Sequence, residues 1–496
     1  MRTYLLLFTG VILCGCMVTP RPLTMQEIEQ RTSGDIEAIF AEQEPVTGTV
    51  TLYEAMSRAI KYNLDHRLKL MEAALANRQL DVSRYELLPK LVTSAGYTHR
   101  NNYSGAYSQS LIDGSQSLVA STSQDRGILS ADISMMWNVL DFGVSYARAQ
   151  QQADHLLISE ERRRKVIQNI LQDVSDTYWR AVSAEVLLPE MDELLKRAKA
   201  ALERSGKIAE QRLKPPREAL EYERSLLENI RLLWGLIQRL DPAKTELAAL
   251  MNLRPGTPYQ LAETGWETAD MPSFKDALES LEHLAMTNRP ELREEDYRSR
   301  ITELEARKAI LKMLPGIDIN FGYNYDSNDF LYNRDWWNAG VNVSLNIFNL
   351  FSGPAAYRAA KAEQETGEVR RLALGMAVLT QVHLAYRRYH IATEEYLVSR
   401  KLDDVSHRLK EQTVSVAAAG GADEAEVIRS ETNALLAKMR HHLAYSEVRN
   451  AAGRIYHSAG ADFLPSNAES LDIPSLSQSL KQAFEKWKEE VSGNAS

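Results

Sequence analysis

Between Leu314 and Ile347 the chain alternates apolar and polar residues with a period of two. Ile317, Ile319, Phe321, Tyr323 and Tyr325 fall on one parity, and Asp318, Asn320, Gly322 and Asn324 on the other. After a polar break through Asp326–Asp335, Val341, Val343, Leu345 and Ile347 alternate with Asn342, Ser344 and Asn346. Successive side chains of a strand point to opposite faces, so the pattern predicts a hairpin with one apolar and one polar face. A second hairpin is expected over about 91–140, where Ile133, Met135, Trp137 and Val139 alternate with Asp132, Ser134, Met136 and Asn138. Its first strand, Leu91–His99, alternates poorly. The Ser- and Gln-rich stretch Ser104–Gln124 reads as a long solvated loop.

Around the hairpins the apolar spacing becomes helical. Val166, Ile167, Ile170, Leu171, Val174, Tyr178 and Val182 form one stripe, and Leu372, Met376, Leu379, Val382, Tyr386 and Tyr389 another. Their three- and four-residue steps suit coiled-coil seams. No proline falls between Gly143 and Pro189, or between Pro354 and Pro465. A continuous helix over Ala355–Ala419 would run on the order of 95 Å at about 1.5 Å per residue. Such a length serves a rod or the wall of a tube.

Both long helices are expected to turn back. Gly420 and Gly421 can supply the positive φ that ends a helix, and Asp423 with Glu426 opens its return. At the matching place in the first half, Pro215 and Pro216 open the return helix instead. Asp423 and Glu424 have two readings: caps near a positive helix terminus, or members of an acidic ring at a gated tip. The return helices are read over Leu220–Leu250 and Val427–Ala459.

The plan therefore occurs twice. Asn63-Leu64-Asp65 is answered by Arg289-Pro290-Glu291, and Leu88-Pro89 by Leu314-Pro315, each 226 positions later. Trp137-Asn138-Val139 is answered by Leu345-Asn346-Ile347, 208 positions later. The capping box Thr51-Leu52-Tyr53-Glu54 has a weaker echo at Ser273-Phe274-Lys275-Asp276. Two helix–hairpin–long-helix repeats, 49–260 and 261–462, follow, with a C-terminal tail over 463–496.

At the N-terminus, Arg2 precedes the apolar run Tyr4–Leu13 and then Cys14-Gly15-Cys16. The run is too short to span a bilayer but has the size of a signal-peptide core. Its end resembles a bacterial lipoprotein cleavage box, which implies a signal peptide over 1–15 and lipidation of Cys16. Pro20, Pro22, Pro45 and Gly48 suit an extended tether over 16–48. A single lipid anchors weakly, so a second membrane attachment is expected.

Composition narrows the chemistry. The chain has 496 residues, 44% hydrophobic and 25% charged, which excludes wholesale disorder. A net charge of −9 argues against nucleic acid as a partner. The only cysteines are Cys14 and Cys16, so the rest of the chain has no disulfide or thiol metal site. His383 and His390 lie two helical turns apart, and His441 and His442 point to different faces, so neither pair suits one ion. No catalytic set or phosphate loop stands out. Neither an enzyme nor a cofactor is expected.

Four strands cannot close a barrel, for which about eight is the lower limit. If their apolar faces meet lipid, other chains must satisfy the open edges. Asp318, Asn320, Asn324, Asn342, Ser344 and Asn346 would then face a wet lumen.

Several segments resemble the outer-membrane efflux family, the TolC-like channels, over roughly residues 50–460. They are the duplicated plan, Asn-Arg-Pro-Glu-Leu at 288–292, the Leu-Pro pairs before strands, Leu-Asn-Ile-Phe…Gly at 345–353, and the Gly-rich tip before Glu426-Val427-Ile428. The resemblance implies a mainly α fold with membrane β: a homotrimer sharing one outer-membrane β-barrel above an α-helical periplasmic tunnel. It further implies a passive export conduit of a tripartite efflux or type I secretion system, meeting a periplasmic adaptor and an inner-membrane RND or ABC-type pump. Two departures stand out: Leu64 where the first repeat often has proline, and Pro215-Pro216 where the first tip usually has glycine. The competing expectation is a non-conducting periplasmic coiled-coil adaptor or scaffold lipoprotein.

Overall fold

The computed structural model describes residues 20–41, 43–210, 215–262, 274, 278–465 and 467–493. Cys16, Lys214 and most of the segment around Ser273 lie outside them. The first element corrects the expected tether. Helix α1 spans Met25–Ile39, opened by a reciprocal capping box between Thr24 and Glu27, and buries none of its residues.

Strand β1 (Thr49–Val50) leads into α2 (Leu52–Tyr62) and α3 (Leu64–Tyr85). The Thr51 hydroxyl accepts from the Glu54 N–H at 3.2 Å, so this cap forms as its spacing predicts. The first hairpin follows, β2 (Lys90–His99) and β5 (Gly127–Asn138). The segment between them carries a small exposed ribbon, β3 (Gly105–Ala106) against β4 (Ser121–Thr122). Helix α4 (Val139–Glu210) has 72 residues and continues past Pro189 without a break. It is followed by α5 (Pro216–Leu240), α6 (Pro242–Leu250) and β6 (Gln260–Leu261).

The second half has the same succession: α7 (Leu278–Asn288), α8 (Pro290–Leu311), β7 (Gly316–Asp326), β8 (Asp335–Ser344), α9 (Ile347–Ala418) and α10 (Glu424–Ser458). Helices α3 and α8 both have 22 residues, and α4 and α9 both have 72. A last helix, α11 (Ile473–Gly493), lies in what reads in the sequence as a tail. It packs back against α2, with Leu476 and Leu480 fully buried and the Phe484 ring stacked on Phe463. Among the described residues no helix is long and apolar enough to cross a membrane.

Two cores hold the helices. One joins α2, α4, α6, α10 and α11 around Ile167, Leu171, Val174, Tyr178 and Val182, the stripe expected on the first long helix. The Tyr178 hydroxyl lies 3.2 Å from the Val50 carbonyl, and Val50 pairs in parallel with Leu261, so the N-terminal segment is tied to the end of the first half. The other core lies toward the tips and gathers Leu187, Met191, Leu226, Leu233, Ile428 and Met439.

On α9 the buried line differs from the expected one. Val378, Val382, Ala385, Tyr389, Ala392 and Tyr396 are buried, whereas Leu372 and Met376 are exposed. The packed face interleaves Gly375, Ala385, Ala392 and Ser399 with these larger side chains, and an apolar stripe does not distinguish that face from an unpartnered one. Helix α9 also begins eight residues early. Asn346 caps it, its side-chain oxygen accepting from the Phe348 N–H at 3.1 Å.

Candidate functional site

The two hairpins form one antiparallel sheet in the order β2-β5-β7-β8. Its register keeps the parities aligned across all four strands. Asn138, Asp318 and Asn342 lie side by side, as do Ser134, Gly322 and Asn338, and Ser94, Asp132 and Asn324. On the opposite face Met135, Phe321 and Ala339 form one row, and Trp137, Ile319 and Val341 another. A one-residue slip in any pair would mix the two faces.

Polar side chains link up across strands on the first face. Asn138 donates to the Asp318 carboxylate at 2.6 Å, Asn324 donates to the Asn338 carbonyl oxygen at 2.5 Å, and Ser94 meets Asp132. Asn320 lies opposite Gly340, and its amide fills the space that a Cβ at Gly340 would take. Ser344 closes the last strand opposite Gly316. Five of the six residues expected on the polar face are therefore there. Asn346 is not: β8 ends at Ser344, and Asn346 is occupied as the cap of α9. The strand starts earlier than expected as well, at Asp335, which brings Trp336 onto the polar parity beside Asn324.

Among the described residues nothing covers the apolar face. Val341 is 66% exposed and Val343 69%, and the Trp337 ring, stacked 5.2 Å from Phe321, is open to the outside. An exposed apolar sheet face of this extent marks contact with lipid or another chain. The poorly alternating β2 joins the sheet over ten residues because β5 supplies its register. Strands β2 and β8 are its two open edges.

At the opposite end, Gly420 takes φ 79° and ends α9; the Gly421 N–H donates to the Val416 carbonyl at 2.9 Å. Asp423 is a cap, accepting from the Glu426 N–H at 2.9 Å. Glu424 forms an ion pair with Arg204 on α4. Pro215 and Pro216 stand at the N-cap and first position of α5. The tip carboxylates are thus engaged within the chain, Asp423 in its own helix and Glu424 across to the neighbouring long helix.

A further cluster was not assigned a role by its sequence motif. Arg289 is 3% exposed and sits where α7, α8, α9 and α10 converge. Its guanidinium donates from Nη2 to Glu291 at 3.1 Å, with Nε also 3.1 Å from that carboxylate as an ion-pair contact, and donates to the Gln381 side chain at 2.8 Å and to the His457 carbonyl at 3.1 Å. Burial, with the adjacent Arg289 charge, pushes the His457 imidazole down to about 4, so it is neutral at neutral pH. Next to it Gly460 takes φ 75°, and a Cβ there would lie 2.8 Å from the Asn288 backbone. Only glycine lets α10 end this close to the α7–α8 junction.

These features coincide with known architecture. A model of the outer membrane efflux protein family matches residues 57–215. The CmeC outer membrane channel of Campylobacter jejuni superposes with a TM-score of 0.65 at 15% identity, over 90% of this chain and 95% of that one. The chain carries the fold of the TolC-like outer membrane channels. The MtrE outer membrane channel of Neisseria gonorrhoeae, in its open state, gives 0.63 at 16% identity over 82% of this chain and 88% of that one. The outer membrane protein VceC of Vibrio cholerae gives 0.60 at 12% over 82% and 96%. A search of curated proteins finds no sequence match. Proteins of the matched efflux family are channels, not enzymes.

Proposed function

We propose that the chain is the outer-membrane channel of a tripartite efflux or type I secretion system, a passive conduit from the periplasm or an inner-membrane pump to the exterior. One observation carries this reading: a sheet with one exposed apolar face and one polar face, bounded by two open edges and continued by two 72-residue helices. Lipid requires every backbone group to be paired, so the edges must be closed by further copies. Three copies give roughly twelve strands, enough for a barrel with a water-filled interior. The polar face then lines that interior. The two sequence repeats each supply one hairpin and one pair of wall helices. A periplasmic adaptor and an RND or ABC-type pump would meet the tips, and outer-membrane lipid the apolar face. Cleavage after residue 15 would leave Cys16 lipidated as a second anchor.

In this reading the tip is the gate, and the Arg204–Glu424 pair holds α4 to the return helix α10 while it is closed. Recording from purified protein in a planar lipid bilayer tests both statements. Wild type is expected to give small, infrequent currents, and Arg204→Ala or Glu424→Gln a severalfold higher conductance. Absence of any channel activity in wild type and variants alike would contradict the conduit. Channels of identical conductance in all three would move the gate away from this pair.

A further inference from the structure

We infer that Trp336 and Ile128 form an apolar collar at the outer mouth of the channel, a contact site for the aromatic part of a passing organic cation. The collar's role rests on the proposed conduit, whose cargo these side chains would sort. Trp336 and Trp337 are adjacent on β8, so their rings point to opposite faces of the sheet. Trp337 packs on Phe321 and Tyr323 on the apolar face, with ring centroids 5.2 and 4.7 Å away. Trp336 lies on the polar parity opposite Asn324, is 42% exposed, and meets no other ring among the described residues.

The duplication marks the same place on the first hairpin. Gly127 and Asp335 open β5 and β8, 208 positions apart, so Ile128 is the counterpart of Trp336, and each is the second residue of its strand. Lys90 and Gly316 open β2 and β7, 226 positions apart. Elsewhere on the polar face a large apolar residue has a polar counterpart: Val92 answers Asp318, and Met136 answers Ser344. Among the described residues, Ile128 and Trp336 are the one equivalent pair on this face in which both members are apolar. Ser94 lies across from Asp132, and Asp132 across from Asn324, four residues past Asn320, the counterpart of Ser94. That stagger is the one tilted strands show in a barrel, where counterparts rather than lateral neighbours share a level. Ile128 and Trp336 therefore line the mouth at one height.

The level is held firmly. Asn328, 5% exposed in the turn of the second hairpin, donates to the Ser123 carbonyl and accepts from the Asp125 N–H, each at 3.0 Å. The outer ends of the two hairpins are thus pinned together just beyond the collar. A ring of large apolar side chains in a water-filled pore disfavours hydrated ions, which must shed water to pass. It favours a flat apolar solute whose face stacks on the indole. Asp132 supplies the second half of the recognition. It shares the face and the lateral row of Trp336, with Asn324 between them, two strand spacings or roughly 10 Å away. A cation that carries aromatic rings can lay them on the indole while its charge faces that carboxylate, and the indole face itself attracts a cation.

Block of single channels in a planar bilayer by two monovalent cations, tetraphenylphosphonium and tetraethylammonium, tests the collar. In wild type, tetraphenylphosphonium is expected to block at a concentration about tenfold lower than tetraethylammonium. Trp336→Ser should lose that preference and conduct potassium ions more readily. Trp336→Phe should retain most of the preference. Trp336→Leu, which keeps an apolar side chain without a ring, should lose it while potassium conductance stays low. Trp337→Phe, on the other face, should match wild type. An unchanged preference in conducting Trp336→Ser or Trp336→Leu channels would overturn the collar and leave the conduit intact. Absence of conductance in wild type would remove the conduit and the collar with it.

Discussion

Replacing Arg289 with alanine is expected to destabilise the protein by about 3–5 kcal/mol, the range for breaking a buried ion pair by removing one partner. The loss would leave Glu291 among buried groups with only Lys165, 3.2 Å away, to balance it. It would also free the Gln381 side chain and the His457 carbonyl at the end of α10. Arg289→Lys keeps the charge but lacks the planar fork that reaches Glu291, Gln381 and the His457 carbonyl together, so it should fall between wild type and alanine. Gln381→Ala removes one neutral partner and should lose only about 1 kcal/mol. Equilibrium unfolding in denaturant, read by helical circular dichroism, ranks the three. Equal effects of Arg289→Ala and Gln381→Ala would show that the guanidinium is not the centre of the joint.

Val341→Arg is expected to abolish assembly in the outer membrane, whereas Asn342→Arg should assemble. Val341 lies on the apolar face opposite Ile319, and Asn342 on the polar face opposite Asp318. An arginine facing lipid near the bilayer midplane costs roughly 2–4 kcal/mol, and every copy in a shared barrel carries it. At position 342 the same side chain enters a polar lumen beside a carboxylate. The amount of heat-modifiable oligomer in outer-membrane fractions measures the difference. Similar amounts for both variants, or the reverse order, would mean that the faces are assigned wrongly.

The two-faced sheet was largely legible because a strand with one polar and one apolar face must alternate, and β7 does so over nearly its whole length and β8 from Val341 to its end. Strand β2 was faint because Ser94, Ala95, Gly96 and Thr98 differ little in polarity; its place comes from pairing with β5. Asn346 continued the alternation past the strand end, and nothing in a period of two reveals that its side chain will cap a helix. The C-terminal helix was missed for the opposite reason, since its partners lie near the start of the chain. Arg289 stood in a noticed motif, yet Gln381 and His457 lie 92 and 168 positions away, so its contacts could not be read from spacing. At the tip, the cap at Asp423 followed from the local Asp-x-x-Glu pattern, while the Glu424–Arg204 pair spans 220 positions and appeared only in the fold.

In the proposed channel, current passes along the polar face of the sheet. Single-channel recording of Asn320→Cys and Phe321→Cys, before and after adding a charged water-soluble thiol reagent, tests it most directly. The two residues are adjacent on β7 and point to opposite faces. A stepwise, persistent fall in conductance is expected for Asn320→Cys and no change for Phe321→Cys. A block at position 321 with none at 320, or the same response at both, would contradict it.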